Sequence, residues 1–160
     1  MTIKTGDKFP SVLFKRLGPG GMEDINTDDI MKGRKVVLFS VPGAFTPTCS
    51  AKHLPGFVMH ADDFRARGVA EIVCLAVNDP FVMNAWAKAN NAEGRVSFLP
   101  DGNGTLTRAL GLELDGSGYG LGQRGQRFAM VIDNGVVSAL HVEAPGKFEV
   151  SSAEAMLKVV

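Results

Sequence analysis

The sequence predicts an α/β fold in which a central mixed β-sheet is flanked by helices. Residues 36–41 and 71–77 are continuous apolar runs rich in β-branched side chains, which is typical of strands covered on both faces, as in a parallel sheet. Residues 128–133 and 136–142 are two more β-rich runs, and the Asn134-Gly135 pair between them is a strong hairpin signal. Parallel and antiparallel strands are therefore expected in one sheet.

The run at residues 36–41 is expected to be the central strand, and it ends at Pro42-Gly43. A helix is expected to begin near Thr48 or Cys49, with Pro55 bending it near its first turns and Gly68 closing it. Apolar residues at three- and four-residue spacing give this helix one buried stripe: Leu54, Phe57, Ala61 and Phe64.

The remaining elements follow from cap and turn signals. Asp79 and Pro80 suit the N-cap and first turn of a second helix that runs through Trp86. Ser151 with Glu154 resembles a capping box, which predicts a C-terminal helix carrying Met156 and Leu157 inward. The other expected elements are a peripheral strand at 11–17 before the turn at 18–21, a short strand at 96–99, a helical turn or two at 106–110 and a glycine-rich loop at 116–125.

This order, β-α-β-α-β-β-α after an N-terminal extension, is that of a thioredoxin-like fold. A chain of 160 residues with 45% hydrophobic content is expected to form one domain over residues 1–160, because a core of this size needs no staples.

Charge and hydropathy exclude several classes of partner. Seventeen basic and seventeen acidic side chains cancel, so no net field attracts nucleic acid or anionic lipid. The apolar stretches fall far short of the ~20 residues of a membrane span, and residues 1–10 lack the apolar core of a signal peptide. The sequence therefore predicts a cytoplasmic protein with no nucleic-acid or membrane partner.

Cys49 and Cys74 are the two cysteines, and a domain of this size in a reducing compartment has little need of a structural disulfide. Cys74 lies inside the apolar strand at 71–77 and is interpreted as a core residue. Cys49 follows a polar, proline-containing loop and begins a helix, where backbone N–H groups and the helix dipole favour a thiolate. This position predicts a nucleophile.

Ionisation alone gives a limited gain in reactivity. A free cysteine with a pKa of ~8.5 is about 3% ionised at pH 7, so complete ionisation increases the nucleophile about thirtyfold at most. Fast reaction also needs groups that hold the substrate and stabilise charge on the leaving group. The Thr46 hydroxyl can donate and accept hydrogen bonds there, while Pro42 and Pro47 stiffen the loop and limit water.

The segment Pro42 to Ser50, PGAFTPTCS, resembles the peroxidatic motif of peroxiredoxins, whose pattern is Pro-x-x-x-Thr-x-x-Cys. The longer string is similar to the type II, or atypical, peroxiredoxin-5-like subfamily. The resemblance covers nearly the whole chain, because three more segments match in order and spacing: HLPGF at 53–57, VNDPFV at 77–82 and RFAMV at 127–131.

The resemblance implies a thiol peroxidase that uses no cofactor and no metal. It implies that Pro42 shields the sulfur, that Thr46 orients the peroxide, that Cys49 attacks it and that Arg127 stabilises the thiolate and the transition state. Arg127 is also favoured independently, because it begins a strand after the glycine-rich loop and arginine keeps its charge in a partly dry pocket.

The implied substrates are hydrogen peroxide and alkyl hydroperoxides, sometimes peroxynitrite, and the implied assembly is a homodimer through the active-site end. Phe45 and Phe81 would suit that contact if they are exposed in loops. Some subfamily members carry a resolving cysteine near the C-terminus, but no cysteine follows Cys74 here. The expected cycle therefore uses one cysteine, with glutathione or glutaredoxin, or else thioredoxin, as the external reductant.

Two further motifs have alternative interpretations. Cys49 and His53 have a spacing that suits metal ligands, with His60 two turns further on, but a tetrahedral site needs more ligands, and His53 is expected to hydrogen-bond near the active loop. Residues 120–125 match GxGxxG, yet they precede a hairpin strand where a dinucleotide site needs a helix. That loop is expected to carry Arg124 and Arg127 to the site, with Arg124 assisting.

Two rival functions remain open at this point. A thiol-disulfide oxidoreductase of the same fold would need a Cys-x-x-Cys pair, but Ser50, Ala51 and Lys52 follow Cys49. A redox sensor would oxidise at Cys49 and signal to a partner protein without turning over when a thiol is added.

Overall fold

The computed structural model describes residues 1–160 and contains nine strands. In chain order they are β1 (Leu13–Gly18), β2 (Gly21–Asn26), β3 (Lys35–Ser40), β4 (Glu71–Ala76), β5 (Ser97–Pro100), β6 (Glu113–Asp115), β7 (Gln123–Gly125), β8 (Phe128–Asp133) and β9 (Val136–Val142).

Six α-helices accompany the strands, and none of them has the length and apolar character needed to cross a bilayer. A π-helical turn (Cys49–His53) precedes the second helix, and a 3₁₀ turn (Ser117–Tyr119) lies between β6 and β7. The helices are α1 (Thr27–Met31), α2 (Leu54–Met59), α3 (Ala61–Ala66), α4 (Pro80–Ala89), α5 (Thr105–Leu110) and α6 (Ala153–Leu157).

The central sheet is mixed, as predicted, with the strand order β5-β4-β3-β8-β9. β3, β4 and β5 are parallel, while β8 pairs antiparallel with both β3 and β9. The predicted hairpin joins β8 to β9, and Asn134 and Gly135 have φ of +48° and +81°. Positive φ at both central positions is the requirement of the two-residue turn that favours Asn-Gly.

β3 lies in the middle of this sheet, as predicted, and its residues 36–40 are buried because helices cover both faces. Val37 and Phe39 face one core, with side chains from α2, α3, α4 and α6. Val36 and Leu38 face the other core, with side chains from α1 and α5. Cys49 and Cys74 both belong to the first core, so the candidate nucleophile lies on the α2 side of the sheet.

The helix predicted after β3 has the expected buried stripe but not the expected continuity. Its first turn is π-helical, with the Leu54 N–H donating to the Cys49 carbonyl. Pro55 follows directly and has no N–H for the carbonyl four residues earlier, which accounts for the predicted distortion near the first turns. The prediction of one helix to Gly68 is wrong at His60, where ψ of +12° separates α2 from α3. The His60 ring bonds Asp63 and Glu154 on the surface at 2.9 and 3.2 Å.

The N-terminal extension is an antiparallel hairpin of β1 and β2 that turns at Pro19-Gly20. β2 and α1 are not among the elements predicted from the sequence. β2 reads GMEDIN and is largely exposed, so it lacks the apolar alternation that marks a half-buried strand. Its pairing includes ion pairs across the hairpin, such as Arg16 with Glu23 at 2.8 Å.

Helix caps account for two further outcomes. The predicted cap of α4 is present, with the Asp79 side chain accepting from the Val82 N–H at 2.9 Å. The prediction that Ser151 caps the last helix is wrong, because Ser152 accepts the Ala155 N–H at 3.1 Å. Both serines precede the helix, and the Ser151 hydroxyl instead donates to the carboxylate of the buried Glu143.

The glycine-rich segment at 116–125 is more ordered than the predicted loop. The 3₁₀ turn and β7 lie within it, and β7 pairs antiparallel with β6. This small hairpin brings residues 124–127 to the end of β3 where the chain enters the π-helical turn.

Candidate active site

The loop after β3 brings Cys49 to the carboxyl end of the central strand. Cys49 is fully buried. The loop is tied to the end of β4, because the Ala44 N–H donates to the Asn78 side-chain oxygen at 2.9 Å. It is also tied to the π-helical turn, since the Ser50 N–H donates to the Thr46 carbonyl at 3.0 Å. These bonds give the sulfur a defined position.

Arg127 reaches the sulfur from the start of β8. Its Nη2 donates to Cys49 Sγ at 3.1 Å, across 78 residues of sequence. A guanidinium keeps its positive charge in any protein environment, and at this distance it stabilises a negative charge on sulfur. The structure therefore brings together Cys49 and Arg127, two of the four residues predicted for the site.

His53 holds the other side of the same guanidinium. Arg127 Nη1 donates to His53 Nδ1 at 2.8 Å, and His53 Nε2–H donates to the Ser151 carbonyl at 2.8 Å. Because arginine only donates, Nδ1 must be the unprotonated nitrogen. Burial, and then the charge of Arg127, lower the pKa of His53 to about 3, so its ring is neutral at physiological pH.

We expect this buried histidine to make folding sensitive to acid. Since the pKa of His53 falls from 6.5 to about 3 on folding, the folded state binds fewer protons between these values. The free energy of unfolding should therefore fall as the pH falls, by about 2 kcal/mol between pH 7 and pH 5. Urea unfolding at several pH values measures this, and His53→Gln should remove most of the loss.

His60 provides the control, because hydrogen bonding to Asp63 raises its pKa. Its contribution to stability is complete below pH 6.5 and is lost as the pH rises through the raised value. His60→Gln should therefore not reduce the loss on acidification. A pH dependence that is unchanged in His53→Gln would contradict the assignment.

Glu143 was not predicted as a site residue, and it anchors the far end of this chain of contacts. Glu143 is 7% exposed, and its carboxylate accepts from the N–H groups of Glu149, Val150 and Ser151 at 2.8–2.9 Å. The Ser151 hydroxyl adds a fourth donor at 2.6 Å. Burial raises the pKa of Glu143, but these hydrogen bonds outweigh it and leave the pKa below its ordinary value.

Thr46 and Pro42 lie in the same loop without touching the sulfur through hydrogen bonds. The Thr46 hydroxyl donates to the Gly43 carbonyl at 2.7 Å, so its proton is committed and its lone pairs are left to accept. Pro42 is half-buried. Its carbonyl accepts from Arg124 Nη1 at 3.3 Å, which places Arg124 on the loop and not on Cys49.

The contact of Arg124 with the loop explains why residue 43 is a glycine. A β-carbon on Gly43 would lie 2.8 Å from Arg124 Nη1, so any larger residue would displace the guanidinium. Arg124 Nε also donates to the Leu121 carbonyl at 2.9 Å. Arg124 therefore joins the glycine-rich segment to the loop that carries Cys49.

A cavity of about 630 Å³ opens beside this group of residues. Pro42, Thr48 and Arg127 line its inner side, while Cys49 and Thr46 do not line it directly. The other walls come from the small hairpin and the segment after β9, and they include Leu114, Tyr119, Leu121, Ala144, Pro145 and Lys147.

Cys74 lies behind the site in β4. It is fully buried between strands, opposite Phe39 and Phe98. Burial, with a smaller effect of Cys49, raises the pKa of the Cys74 thiol well above its ordinary value. Both cysteines are free thiols. The core position predicted for Cys74 is therefore where the structure places it.

Three aromatic residues lie near the site, two of them on the surface and one in the core. Phe45 and Phe81 are 55% and 62% exposed, although Phe81 lies in the first turn of α4 and not in a loop. Phe45 has φ of +64°, which is uncommon for a residue with a side chain. Below the surface, Trp86 Nε1–H donates to the Ser50 hydroxyl at 2.9 Å, one residue from the candidate nucleophile.

The histidines do not form a metal site with Cys49. Both ring nitrogens of His53 are hydrogen-bonded to protein groups, and His60 bonds two surface carboxylates. No group of three or more His, Cys, Asp or Glu side chains is placed to hold a metal ion.

Comparison with known proteins identifies the family of this chain and proteins that are similar to it. The chain matches the family described as Redoxin over residues 4–157. It is 50% identical over 143 residues to Peroxiredoxin-2C of Oryza sativa subsp. japonica, a match that covers 89% of this chain and 88% of that protein.

Solved structures agree with the fold. Reduced Prx3 from Vibrio vulnificus, crystallised in complex with H₂O₂, is 50% identical with a TM-score of 0.95 over 99% of both chains. A crystal structure from Burkholderia cenocepacia, provisionally described as a thioredoxin reductase, is 46% identical with a TM-score of 0.97 over 100% of this chain and 99% of that one. These matches confirm the predicted thioredoxin-like fold.

Proposed function

Because the chain belongs to the type II peroxiredoxins of the Redoxin family and shares their thiol peroxidase activity, we propose that Cys49 is its peroxide-reducing nucleophile. The observation that carries this assignment is the 3.1 Å hydrogen bond from Arg127 to the buried Cys49 sulfur. A guanidinium placed on a buried sulfur is compensated best when that sulfur is a thiolate.

The proposed step is a displacement on oxygen. The Cys49 thiolate attacks the distal, hydroxyl-bearing oxygen of the peroxide, so that an S–O bond forms as the O–O bond breaks. The sulfur is oxidised to a sulfenic acid, and the peroxide is reduced. The leaving oxygen departs with the electron pair and takes a proton from solvent, which yields water or an alcohol.

Arg127 and His53 have different roles in this proposal. The charge of Arg127 stabilises the thiolate before attack and the negative charge that spreads over the oxygens during it. His53 supplies no proton, because its ring is neutral and its single N–H is bonded to the Ser151 carbonyl. It acts as the acceptor that keeps Arg127 turned towards the sulfur.

Thr46 and Pro42 complete the proposed site. With its own proton donated to Gly43, the Thr46 oxygen accepts the O–H of the incoming peroxide and so aims the distal oxygen at the sulfur. Pro42 is half-buried in the same loop, where its ring limits the access of water to the thiolate.

The cavity beside Arg127 bears on the range of substrates. Its volume of about 630 Å³ exceeds what hydrogen peroxide fills, and its walls include Leu114, Tyr119 and Leu121. We therefore include alkyl hydroperoxides among the substrates. We also propose a homodimer through this end of the molecule, where the exposed Phe45 and Phe81 lie.

The proposed cycle uses one cysteine. The raised pKa of the Cys74 thiol and its burial in β4 disfavour attack by Cys74 on the sulfenic acid. An external thiol, from glutathione or glutaredoxin or else thioredoxin, attacks instead and releases water to form a mixed disulfide. A second thiol then releases Cys49 as the thiol and leaves with the first as a disulfide.

We expect the protein to consume many equivalents of peroxide when glutathione and glutaredoxin are supplied, and Cys74→Ser to retain most of that steady-state activity. Peroxide loss with each reductant measures turnover, and mass spectrometry of the oxidised protein should show Cys49 sulfenic acid or a glutathione adduct. A protein that stops after one equivalent with every reductant would be a sensor. A Cys49–Cys74 disulfide as the main product, with loss of turnover in Cys74→Ser, would refute the one-cysteine cycle.

A further inference from the structure

An unbroken series of hydrogen bonds runs from the Cys49 sulfur to Glu143. It passes from Cys49 to Arg127 at 3.1 Å, from Arg127 to His53 at 2.8 Å and from His53 to the Ser151 carbonyl at 2.8 Å. Ser151 is in turn bound to the Glu143 carboxylate through both its N–H and its hydroxyl.

No positive side chain pairs with the Glu143 carboxylate. The structure contains no salt bridge to this carboxylate, although Glu143 as a residue is only 7% exposed. Its charge is balanced by N–H groups of residues 149–151 and by one hydroxyl. A buried carboxylate is costly unless all its hydrogen bonds are satisfied, so these donors are held tightly around it.

Residues 148–151, whose backbone N–H groups bind Glu143 from Glu149 onwards, also contact His53 and Arg127. The Phe148 ring lies 4.9 Å from the His53 ring, and its centroid lies 5.8 Å from the Arg127 guanidinium carbon. The Ser151 carbonyl, at the other end of residues 148–151, accepts the only N–H of the neutral His53 ring. One carboxylate thus fixes the aromatic contact and the acceptor that together hold the histidine.

We propose that Glu143 is a positioning residue for Arg127, acting through Ser151 and His53; this rests on the proposed role of Arg127 at Cys49. The carboxylate holds the Ser151 carbonyl towards Nε2, which keeps the proton on that nitrogen. The free lone pair of Nδ1 then points at Arg127 and keeps its second amino group on the sulfur. Displacement of a catalytic group by about 1 Å can cost ~10²-fold in rate.

The test uses two variants and two matched controls. Glu143→Gln removes the charge and presents an amide to the donors, while the milder Ser151→Ala removes only the hydroxyl bond. The controls are Glu71→Gln and Ser97→Ala, because the half-buried Glu71 also accepts a serine hydroxyl at 2.9 Å. Glu71 begins β4, at the end of the sheet away from Cys49.

We expect Glu143→Gln to slow the reaction of the thiolate with hydrogen peroxide by about 10-fold to 10²-fold, and Ser151→Ala by less. The pH profile of iodoacetamide alkylation should move to higher pH in both variants, as it should when Arg127 leaves the sulfur. The controls should leave both measurements unchanged. Thermal unfolding checks that each variant folds, and if Glu143→Gln does not fold, Ser151→Ala carries the test.

A double mutant separates positioning from a general structural effect. If Glu143 acts through Arg127, Glu143→Gln together with Arg127→Gln should react no more slowly than Arg127→Gln alone. Independent, multiplying effects would overturn the proposal, and so would a full peroxide rate in Glu143→Gln. If Arg127→Gln itself has a normal peroxide rate, it is instead the proposed role of Arg127 that fails.

Discussion

Cys49→Ser is expected to abolish peroxide consumption while the protein stays folded. Serine is nearly isosteric with cysteine, so the fully buried position tolerates it, but its hydroxyl is not ionised near pH 7 and the nucleophile is lost. The rate should fall to less than a few per cent of the wild-type rate with every reductant. Loss of hydrogen peroxide, followed together with circular dichroism of the same sample, measures both outcomes.

Cys74→Ser is the matched control for that experiment, because it makes the same atomic change at the other buried cysteine of the same core. It should keep most of the activity. Residual turnover in Cys49→Ser above a few per cent of wild type would mean that another group reduces the peroxide.

Arg127→Gln should slow the reaction with peroxide by roughly 10²-fold or more, the usual cost of removing one preorganised donor from a transition state. The change removes the charge beside Cys49 and both hydrogen bonds of the guanidinium, to the sulfur and to His53. Thr46→Val should have a cost of similar order, since it removes the proposed acceptor for the peroxide. Stopped-flow measurement of the single oxidation step gives these rates without the reductant.

Alkylation by iodoacetamide separates two explanations of such a loss. Iodoacetamide consumes the thiolate but has no peroxide oxygens to stabilise. Alkylation that slows less than the peroxide reaction would place the effect of Arg127 in the transition state. Equal slowing of both reactions would place the whole effect in thiolate ionisation and would contradict the proposed role of Arg127 in the transition state.

The sequence predicts the elements whose signals are local. The buried runs predict β3 and β4, the Asn134-Gly135 pair predicts the β8–β9 hairpin, and the position of Cys49 after its loop predicts a nucleophile. β2 is not predicted because its polar residues, which form ion pairs across the hairpin, show no alternation of apolar and polar side chains. The break between α2 and α3 at His60 is not predicted because the apolar stripe continues from one helix into the next.

The contacts of the site are predictable only in part, for a related reason. The resemblance to peroxiredoxins supplies Arg127 although 78 residues separate it from Cys49. Glu143 and Ser151 are eight residues apart, and their residue types are ordinary for a turn and a helix cap. Their importance depends on burial and on where the Ser151 carbonyl points, and both of these are set only when α6 packs against α2.

The hydrogen bond between Trp86 and Ser50 equips the protein with an optical probe of its own chemistry. Trp86 is the only tryptophan, and its fully buried indole is bonded to the residue next to the sulfur. Any movement of the π-helical turn, on oxidation or on formation of a mixed disulfide, changes the polarity and bonding of that indole. The tryptophan fluorescence of the unlabelled protein therefore has a single source, located where the redox state of Cys49 changes.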